Sequence, residues 1–231
     1  MNRRPTLELT GIAKLYGNTV ALRALDLRLE PRQTLALLGP NGSGKTTLLR
    51  IIAGATAPTL GHGTVLGSDL LAERHLLRAR VGFLASDSYL YDDLTVAENL
   101  RFIATMAGRR VAATDVADTL QRVGLTAAAW QRVRSLSSGM QRRLALGRLV
   151  LLRPQLLLLD EPYNSLDASA AELVDEIVRE AADRGGSVVL ATHDAERALA
   201  LADLTAVLER GAVTFLGPST GYHLRHVQHV G

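Results

Sequence analysis

Residues 34–53 decide the fold, because an apolar run passes into a glycine-rich loop and then into a helical pattern. The apolar run is Thr34–Leu38 and the helical pattern covers Lys45–Ala53. The loop between them reads Gly39-Pro40-Asn41-Gly42-Ser43-Gly44-Lys45-Thr46, followed by Thr47. This sequence fits G-x-x-x-x-G-K-[ST] in the strand–loop–helix context that the pattern requires. We therefore predict a loop that binds the phosphates of a nucleotide.

The residue types of this loop suit a bound phosphate chain. Glycines let the backbone turn tightly and direct successive N–H groups at an anion, and the helix that begins at Gly44 adds its positive end. We expect Lys45 to reach the β- and γ-phosphates, and the Thr46 hydroxyl to ligate Mg²⁺. Thr47 is expected to contact the α-phosphate through its side chain or its N–H group.

A second apolar run, Leu156–Leu159, ends in the carboxylates of Asp160 and Glu161. Ligands of parallel α/β sheets bind outside the carboxyl ends of the strands, so both carboxylates are expected beside the phosphate loop. We expect Asp160 to hold Mg²⁺ through water or through Thr46. Glu161 is expected to polarise the attacking water as a general base.

The rest of the sequence indicates a mixed α/β chain of one domain, residues 1–231. Strand and helix patterns alternate, which predicts a mostly parallel sheet covered on both faces. Both ends of the chain instead show successive strand patterns, which predict an antiparallel sheet flanking the parallel core. Residues 87–152 show no convincing strand and are expected to form an inserted helical subdomain. The predicted strands are Leu7–Leu9, Val20–Leu22, Leu25–Leu29, Thr34–Leu38, Val81–Leu84, Leu156–Leu159, Ser187–Ala191, Leu204–Leu208 and Ala212–Leu216. The predicted helices are Lys45–Ala53, Val96–Ala107, Gly139–Leu152, Ala168–Arg184 and Ala195–Leu201.

The composition excludes several classes of protein. The chain has 231 residues, 47% of them hydrophobic, which excludes global disorder. No apolar run approaches the roughly 20 residues that span a bilayer, and no secretory signal is recognised. The absence of cysteine excludes disulfides and thiolate zinc sites. A net charge of only +3 does not call for a nucleic-acid partner, and a cytoplasmic location is expected.

Four further segments resemble motifs of the ATP-binding cassette (ABC) family. The chain resembles the signature motif of the family at Leu136-Ser137-Ser138-Gly139-Met140, which Gln141 follows. It resembles the D-loop of the family at Asn164-Ser165-Leu166-Asp167. His193, in Ala191-Thr192-His193-Asp194, resembles the switch histidine of the family. Tyr16 resembles the aromatic residue that stacks on adenine. The resemblance covers essentially the whole chain, with the motifs in order at the family's spacing. It implies a phosphate-loop ATPase core of the RecA-like type, with an antiparallel β subdomain and an inserted α-helical subdomain.

The resemblance also implies how the site works. In the family two cassettes meet head to tail, as a homodimer or as a pair of different cassettes, and enclose two ATP molecules. The phosphate loop of one chain faces the signature of the other, here Ser137, Ser138 and Gly139. His193 is expected to contact the γ-phosphate and Asp167 to couple the two sites. Hydrolysis of ATP with Mg²⁺ is expected to drive a partner permease embedded in the membrane, with this chain on the inner surface of that membrane.

One position departs from the family pattern. After the strand that matches Val81–Leu84, the family places a glutamine that ligates Mg²⁺. This chain has Ser86 or Asp87 there, and we expect Asp87 as the stronger oxygen ligand. Three histidines near the end of the chain, His223, His226 and His229, do not share one helical face and are expected in a solvated tail.

Details of the sequence suggest a type of transporter. The Met140–Arg143 continuation and the segment from Tyr91 to Leu100 are similar to those of haem-exporter ATP-binding subunits of cytochrome c maturation. The same traits occur in exporter cassettes for drugs, lipids and sodium, which remain the alternative. A cassette ATPase with a role outside transport is less favoured, because such proteins carry long coiled coils, zinc modules or two cassettes on one chain.

Overall fold

The computed structural model describes residues 4–77, 80–85, 90–164 and 166–226, with side chains described as far as residue 222. Asp87 and Ser86 lie outside the described residues, as do the side chains of His223, His226 and His229. The strands are β1 (Leu7–Tyr16), β2 (Thr19–Leu29), β3 (Thr34–Leu38), β4 (Leu60–Val65), β5 (Ser68–Asp69), β6 (Val81–Leu84), β7 (Leu156–Asp160), β8 (Ser187–Thr192), β9 (Leu204–Glu209) and β10 (Ala212–Pro218). The helices are α1 (Lys45–Ile52), α2 (Arg74–Leu77), α3 (Val96–Met106), α4 (Ala113–Arg122), α5 (Ser138–Leu152), α6 (Ala168–Asp183), α7 (Ala195–Leu201) and α8 (Ser219–His226).

The strand that precedes the phosphate loop lies inside a six-stranded sheet of order β10-β9-β3-β8-β7-β6. All neighbouring pairs from β9 to β6 are parallel, so the carboxyl ends of these strands share one edge of the sheet. Leu38 of β3 pairs with Thr192 of β8, and Asp160 of β7 pairs with Ala191 of β8. The predicted parallel core is confirmed, and this edge brings the phosphate loop close to the carboxylates that follow β7.

Two cores cover the two faces of this sheet, because successive side chains of a strand point to opposite faces. Leu35 and Leu37 of β3 enter a core that also holds α1 and the residues of β1 and β2. Ala36 and Leu38 enter the other core, formed with helices α3 to α7. Every residue of β3, β7 and β8 is buried, which explains why these segments read as unbroken apolar runs.

A second sheet, of order β2-β1-β4-β5, is antiparallel and forms the expected flank. The two separate strands expected at Val20–Leu22 and Leu25–Leu29 are one continuous strand, β2. Strand β4 was not expected, since its sequence Leu-Gly-His-Gly-Thr-Val lacks an alternating apolar pattern. Its Gly63 lies against β1 so closely that a Cβ atom would stand 2.3 Å from the Glu8 carbonyl oxygen. The packing of β4 against β1 therefore requires Gly63, and the same glycine weakens the strand pattern in the sequence.

The hairpin near the end of the chain corrects one expectation. Strands β9 and β10 pair antiparallel, as their sequence predicts, but they do not join the antiparallel sheet. Strand β9 instead pairs in parallel with β3, from Leu204 opposite Leu35 to Val207 opposite Leu38. The hairpin thus extends the central sheet, because the buried residues of β9 complete the cores on either side of β3.

The described residues between 90 and 152 form helices α3, α4 and α5, with only an isolated bridge between Thr95 and Arg132. Thr95 caps α3 in a capping box with Glu98, which fixes where that helix begins. The limits of this region as a helical subdomain of a single 1–231 domain stay a prediction. Within the described ranges, no helix combines the length and apolar character needed to cross a bilayer.

Candidate nucleotide site

A cleft of about 430 Å³ opens at the carboxyl edge of the central sheet, beside the phosphate loop. Its walls are the loop, the residues that follow β7 and the start of β2. The lining residues are Thr19, Val20, Ala21, Asn41, Gly42, Ser43, Gly44, Lys45, Thr46, Thr47, Asp160, Glu161 and Asn164. The structure therefore brings the predicted loop residues 41–47 and both predicted carboxylates to one place. Gly39 and Pro40 lie at the root of the loop.

The phosphate loop is held in a conformation that depends on glycine. Gly39 has φ 146°, and a Cβ atom there would stand 2.1 Å from the Leu208 carbonyl oxygen. The Lys45 side chain is only 5% exposed, and its Nζ donates to the carbonyl oxygens of Gly39 at 2.7 Å and Pro40 at 3.2 Å. The ammonium group thus lies inside the curve of the loop, close to where a bound anion would sit.

Thr46 and Asp160 meet at the base of the cleft. The Thr46 hydroxyl donates to Oδ2 of Asp160 at 2.7 Å, whereas Oδ1 of Asp160 is buried and has no hydrogen-bond partner. Asp160 is fully buried, and this burial raises the pKa of its carboxyl group above the ordinary value. A buried carboxylate oxygen without a partner fits a hydrated Mg²⁺ ion, for which oxygen ligands are preferred. In the described ranges no three acidic, histidine or cysteine side chains form a metal cage.

Glu161 lies between the loop lysine and the predicted switch histidine. Its Oε2 atom is 2.8 Å from Nδ1 of His193 and accepts from the Thr192 hydroxyl at 3.1 Å. Its Oε1 atom is 3.5 Å from Nζ of Lys45 and makes no hydrogen bond. The Glu161 backbone has φ 46°, a left-handed conformation that costs a non-glycine residue roughly 1–2 kcal/mol. Such strain is typical of functional sites, and here it accompanies a side chain that joins the loop and β8.

Arg142 binds the backbone of the residues that form the site, a role that was not predicted from the sequence. This side chain of α5 is 7% exposed and donates to the main-chain carbonyl oxygens of Ala85, of Asp160 at 3.1 Å and of Glu161 at 2.9 Å. Burial lowers the pKa of its guanidinium below the ordinary value. A signal existed in the sequence, because Arg142 is on the same face of α5 as the buried Ala145, Leu146 and Leu149.

The predicted signature residues lie at the start of α5. Ser137 caps this helix by accepting from the Met140 N–H at 3.3 Å, and Ser138 and Gly139 form its first turn. Both serines are exposed to solvent. None of these three residues lines the cleft beside the phosphate loop. The N-terminal end of this helix is therefore separate from the phosphate loop of the same chain.

Asp167 is joined to the same helix by Arg143, another residue that the sequence pattern did not single out. Nη2 of Arg143 donates to both carboxylate oxygens of Asp167, at 2.7 and 2.8 Å, and Asp167 also caps α6 through the Ala170 N–H. These bonds, that from Arg143 above all, lower the pKa of Asp167 to about 2. Because the folded pKa is depressed, the stabilisation from this group is present at neutral pH and is lost as pH falls from about 4 towards 2.

Tyr16 ends β1, and its cross-strand partner Thr19 lines the cleft. The Tyr16 side chain is half-exposed, with Nζ of Lys14 lying 5.0 Å from its ring centroid. Lys14 is in turn held by the Ala57 carbonyl oxygen at 2.8 Å. Tyr16 does not itself line the cleft, so the structure puts it near the site on a hairpin rather than inside it.

Comparison with known proteins agrees with this geometry. Residues 22–164 match the family described as ABC transporter. The chain belongs to this family. It is 38% identical over 208 residues to the Nod factor export ATP-binding protein I of Rhizobium etli, covering 89% of this chain and 66% of that protein. It is 37% identical over 214 residues to the sulfate/thiosulfate import ATP-binding protein CysA 2 of Rhizobium meliloti, covering 89% of this chain and 58% of that protein.

Two solved structures share the fold. One, described as an ATP-binding subunit of an ABC transporter, has a TM-score of 0.87 at 24% identity and covers 96% of this chain and 93% of its own. The other is a dimeric post-hydrolysis state of an ATP-binding cassette bound to ADP and Pi, with a TM-score of 0.84 at 24% identity, covering 92% of this chain and 98% of its own.

These comparisons confirm the predicted phosphate-loop ATPase fold. The predictions of an ATPase and of ATP with Mg²⁺ as its cofactors are confirmed at the level of the family. None of the relatives named above is a haem exporter, so the expectation of haem as the cargo has no support from them. The chain spans about two thirds or less of the length of these curated relatives.

Proposed function

We propose that this chain is the ATP-hydrolysing subunit of an ABC transporter and that its cleft binds ATP with Mg²⁺. One observation carries the proposal: the Lys45 ammonium, the Thr46–Asp160 pair and the Glu161–His193 pair converge at the carboxyl edge of one parallel sheet. Each of these groups can interact with a bound triphosphate in a different way. Together they provide a cation, a metal-binding oxygen pair and a base.

The residues of the phosphate loop bind and orient the triphosphate. Lys45 exchanges its carbonyl partners in the loop for the β- and γ-phosphates, which are stronger acceptors because they are charged. The N–H groups of residues 41–47 donate hydrogen bonds to the remaining phosphate oxygens, and Thr47 contacts the α-phosphate. Tyr16 stacks on the adenine with the face of its ring that Lys14 leaves open.

Thr46 and Asp160 are the residues that hold Mg²⁺, with Asp87 as a further candidate outside the described residues. An ion held there would supply positive charge that offsets the negative charge developing on the phosphates. The unpartnered Oδ1 of Asp160 supports this assignment. The raised pKa of Asp160 fits it as well, since a buried carboxylate is more favourable beside a cation.

Glu161 acts as the general base. Its Oε1 is buried 3.5 Å from Nζ of Lys45 and has no hydrogen-bond donor, so it can accept a proton from a water molecule that enters with the nucleotide. His193 and Thr192 hold the other oxygen and thereby fix the direction of the carboxylate. The His193 ring is largely exposed, which leaves it accessible to the γ-phosphate of a nucleotide in the cleft.

A second copy of the chain, or a paired cassette, completes the site. Ser137, Ser138 and Gly139 present helix N–H groups but lie outside the cleft of their own chain, which supports their action on a nucleotide held by the partner. Asp167 lies between the two sites and is kept anionic by Arg143. A head-to-tail pair would thus bury two ATP molecules between two phosphate loops and two signatures.

The free energy of hydrolysis drives a permease in the cell membrane, with this chain on its cytoplasmic face. We place the contact with the permease on the helical region, residues 87–152, including the segment around Asp93. The relatives export Nod factor or import sulfate and thiosulfate, so cargo and direction follow from the permease and not from this chain. No nucleic-acid partner is proposed.

The variant Glu161→Gln tests the proposal. It should bind ATP with unchanged affinity but hydrolyse it about 10²–10⁴-fold more slowly, because the amide cannot take a proton from water. With ATP and Mg²⁺, size-exclusion chromatography should show a dimer that the nucleotide-free protein does not form. Glu176→Gln, an exposed change on α6, is the matched control. Hydrolysis that continues at the wild-type rate in Glu161→Gln would contradict the assignment of the base.

A further inference from the structure

A second, larger cleft lies at the edge of the sheet opposite the nucleotide site. Its volume is about 800 Å³, within the range of small-molecule sites. Arg80, Gln155 and Gly186 line it, and each directly precedes a strand of the parallel sheet, β6, β7 or β8. The cleft therefore opens at the amino ends of the strands whose carboxyl ends carry the phosphate-binding machinery.

The lining of this cleft is strongly positive. Four arginines face one acid, Glu73, among the residues that line it. The four are Arg4, Arg80, Arg153 and Arg184. Like charges gathered in a cleft with low-dielectric walls attract and concentrate counter-ions. Proline and aliphatic side chains also contribute to the wall, namely Pro5, Pro31, Leu66, Pro154 and Ala181.

The charge of these arginines is poorly compensated within the described part of the chain. Arg80 is held by neutral acceptors, Oε1 of Gln155 at 3.0 Å and the Leu66 carbonyl oxygen at 3.0 Å. Arg184 reaches Glu180 only at 3.4 Å, and that carboxylate already binds Arg122 with both oxygens. Arg4 and Arg153 are not within ion-pair distance of a carboxylate in the described ranges, and Arg153 shares the field of the same Glu180 at longer range. Arg80 is thus fixed in place by neutral groups while its charge stays available.

A serine hydroxyl also lines the cleft. Ser68 is 6% exposed as a residue, and its side chain takes part in none of the hydrogen bonds of the described ranges. A hydroxyl can donate one hydrogen bond and accept others, so it can bind an anion that enters the cleft. Ser68 therefore offers a hydrogen bond within a pocket whose other polar groups are mainly cationic.

We propose that this cleft binds a small phosphorylated anion with at least two negative charges, at a site separate from the ATP site. Guanidinium groups suit phosphate oxygens because they donate in pairs from a planar fork. Arg80 is held in place by Gln155 and Leu66 with its Nη1 unused, Arg153 and Arg184 line the same cleft just after the ends of α5 and α6, and Ser68 adds a hydroxyl donor. The shared chemistry is phosphate, carried either by a soluble polyphosphate or by a phospholipid headgroup.

Calorimetric titration with sodium tripolyphosphate tests the soluble source. The full-length protein is used with Lys45→Ala, which disables the phosphate loop, at 150 mM NaCl and without metal. We expect saturable one-to-one binding. Adding Arg153→Gln and Arg184→Gln should weaken it about a hundredfold, since removing one charge-assisted hydrogen bond weakens binding roughly tenfold. Ser68→Ala should weaken it about threefold to tenfold, whereas Glu73→Gln should tighten it.

The control carries Arg101→Gln and Arg179→Gln, which remove the same charge from exposed positions outside the cleft. Its affinity should stay within about twofold, and circular dichroism of all variants checks their folding. Flotation with vesicles containing 30% phosphatidic acid, whose phosphomonoester headgroup can carry two negative charges, tests the lipid source with the same proteins. Binding to either probe that only the cleft variants lose supports the proposal and identifies the source. No binding to either probe, or an equal loss in the control, overturns it.

Discussion

Two adjacent arginines of α5 are expected to differ greatly in their contribution to folding, which the variants Arg142→Met and Arg143→Met test. Arg142 is 7% exposed and donates to three main-chain carbonyl oxygens at the ends of β6 and β7. Arg143 is 21% exposed and pairs with Asp167, which is 65% exposed. Methionine keeps the length and the apolar stem of either side chain but removes the guanidinium.

The expected loss in the free energy of unfolding depends on how deeply each arginine is buried. Arg142→Met leaves three carbonyl oxygens without their donor, at roughly 1–3 kcal/mol for each group that stays buried. Removal of a buried charge offsets part of this, because the desolvation penalty disappears. We therefore expect a net loss of about 2–4 kcal/mol in the free energy of unfolding. Arg143→Met removes a largely solvated ion pair and should cost about 0.2–1 kcal/mol.

Urea unfolding of the nucleotide-free protein, followed by circular dichroism at pH 7, measures both values. With an m-value of about 3 kcal/mol/M, the midpoint should fall by about 1 M for Arg142→Met and by at most about 0.3 M for Arg143→Met. Equal shifts of the two midpoints would refute the reasoning. So would a shift for Arg142→Met smaller than that of Arg143→Met, because the three buried hydrogen bonds would then contribute little.

Three further variants concern the nucleotide site. Lys45→Ala should abolish ATP binding or nearly so, measured by nucleotide titration, and wild-type affinity would contradict the phosphate-loop assignment. Asp160→Asn should stabilise the nucleotide-free protein relative to wild type increasingly as pH rises above about 4, since burial raises the Asp160 pKa and the ionised form opposes folding; parallel urea curves from pH 4 to 7 would speak against this. Asp87→Asn should make ATP affinity depend less steeply on Mg²⁺ concentration, because it removes a repulsive charge beside the γ-phosphate; superimposable titration curves would remove Asp87 from the metal site.

Local patterns were enough to predict the elements that position the site. Strand β3 begins and ends at the predicted residues, and α1 begins at Lys45 as expected. The reason is that the loop between them needs glycine at Gly39 for steric reasons, and such a requirement is visible as a motif. The strand ending in Asp160 was likewise visible, because full burial on both faces produces an unbroken apolar run.

Non-local pairing was not predictable in the same way. The hairpin of β9 and β10 reads as antiparallel from its own sequence, and nothing within it records that β9 pairs in parallel with β3. Strand β4 escaped notice because its contact with β1 demands Gly63, which weakens any strand signal. In the sequence Arg142 is visible only as part of a motif and as a member of the buried face of α5. Its contact with the site was not predictable, because its three carbonyl partners are contributed by the ends of β6 and β7, which are distant in the sequence.

The site combines groups that are unfavourable one by one, and this explains the position of Arg142. Asp160 is a buried carboxylate with an unpartnered oxygen, and Glu161 adopts a left-handed backbone conformation. Arg142 binds the main-chain carbonyl oxygens of both residues, and its charge interacts favourably with that of Asp160. Because Arg142 is in the first turns of the helix that Ser137 caps, one helix carries both the predicted signature residues and the side chain that binds the backbone of the proposed base.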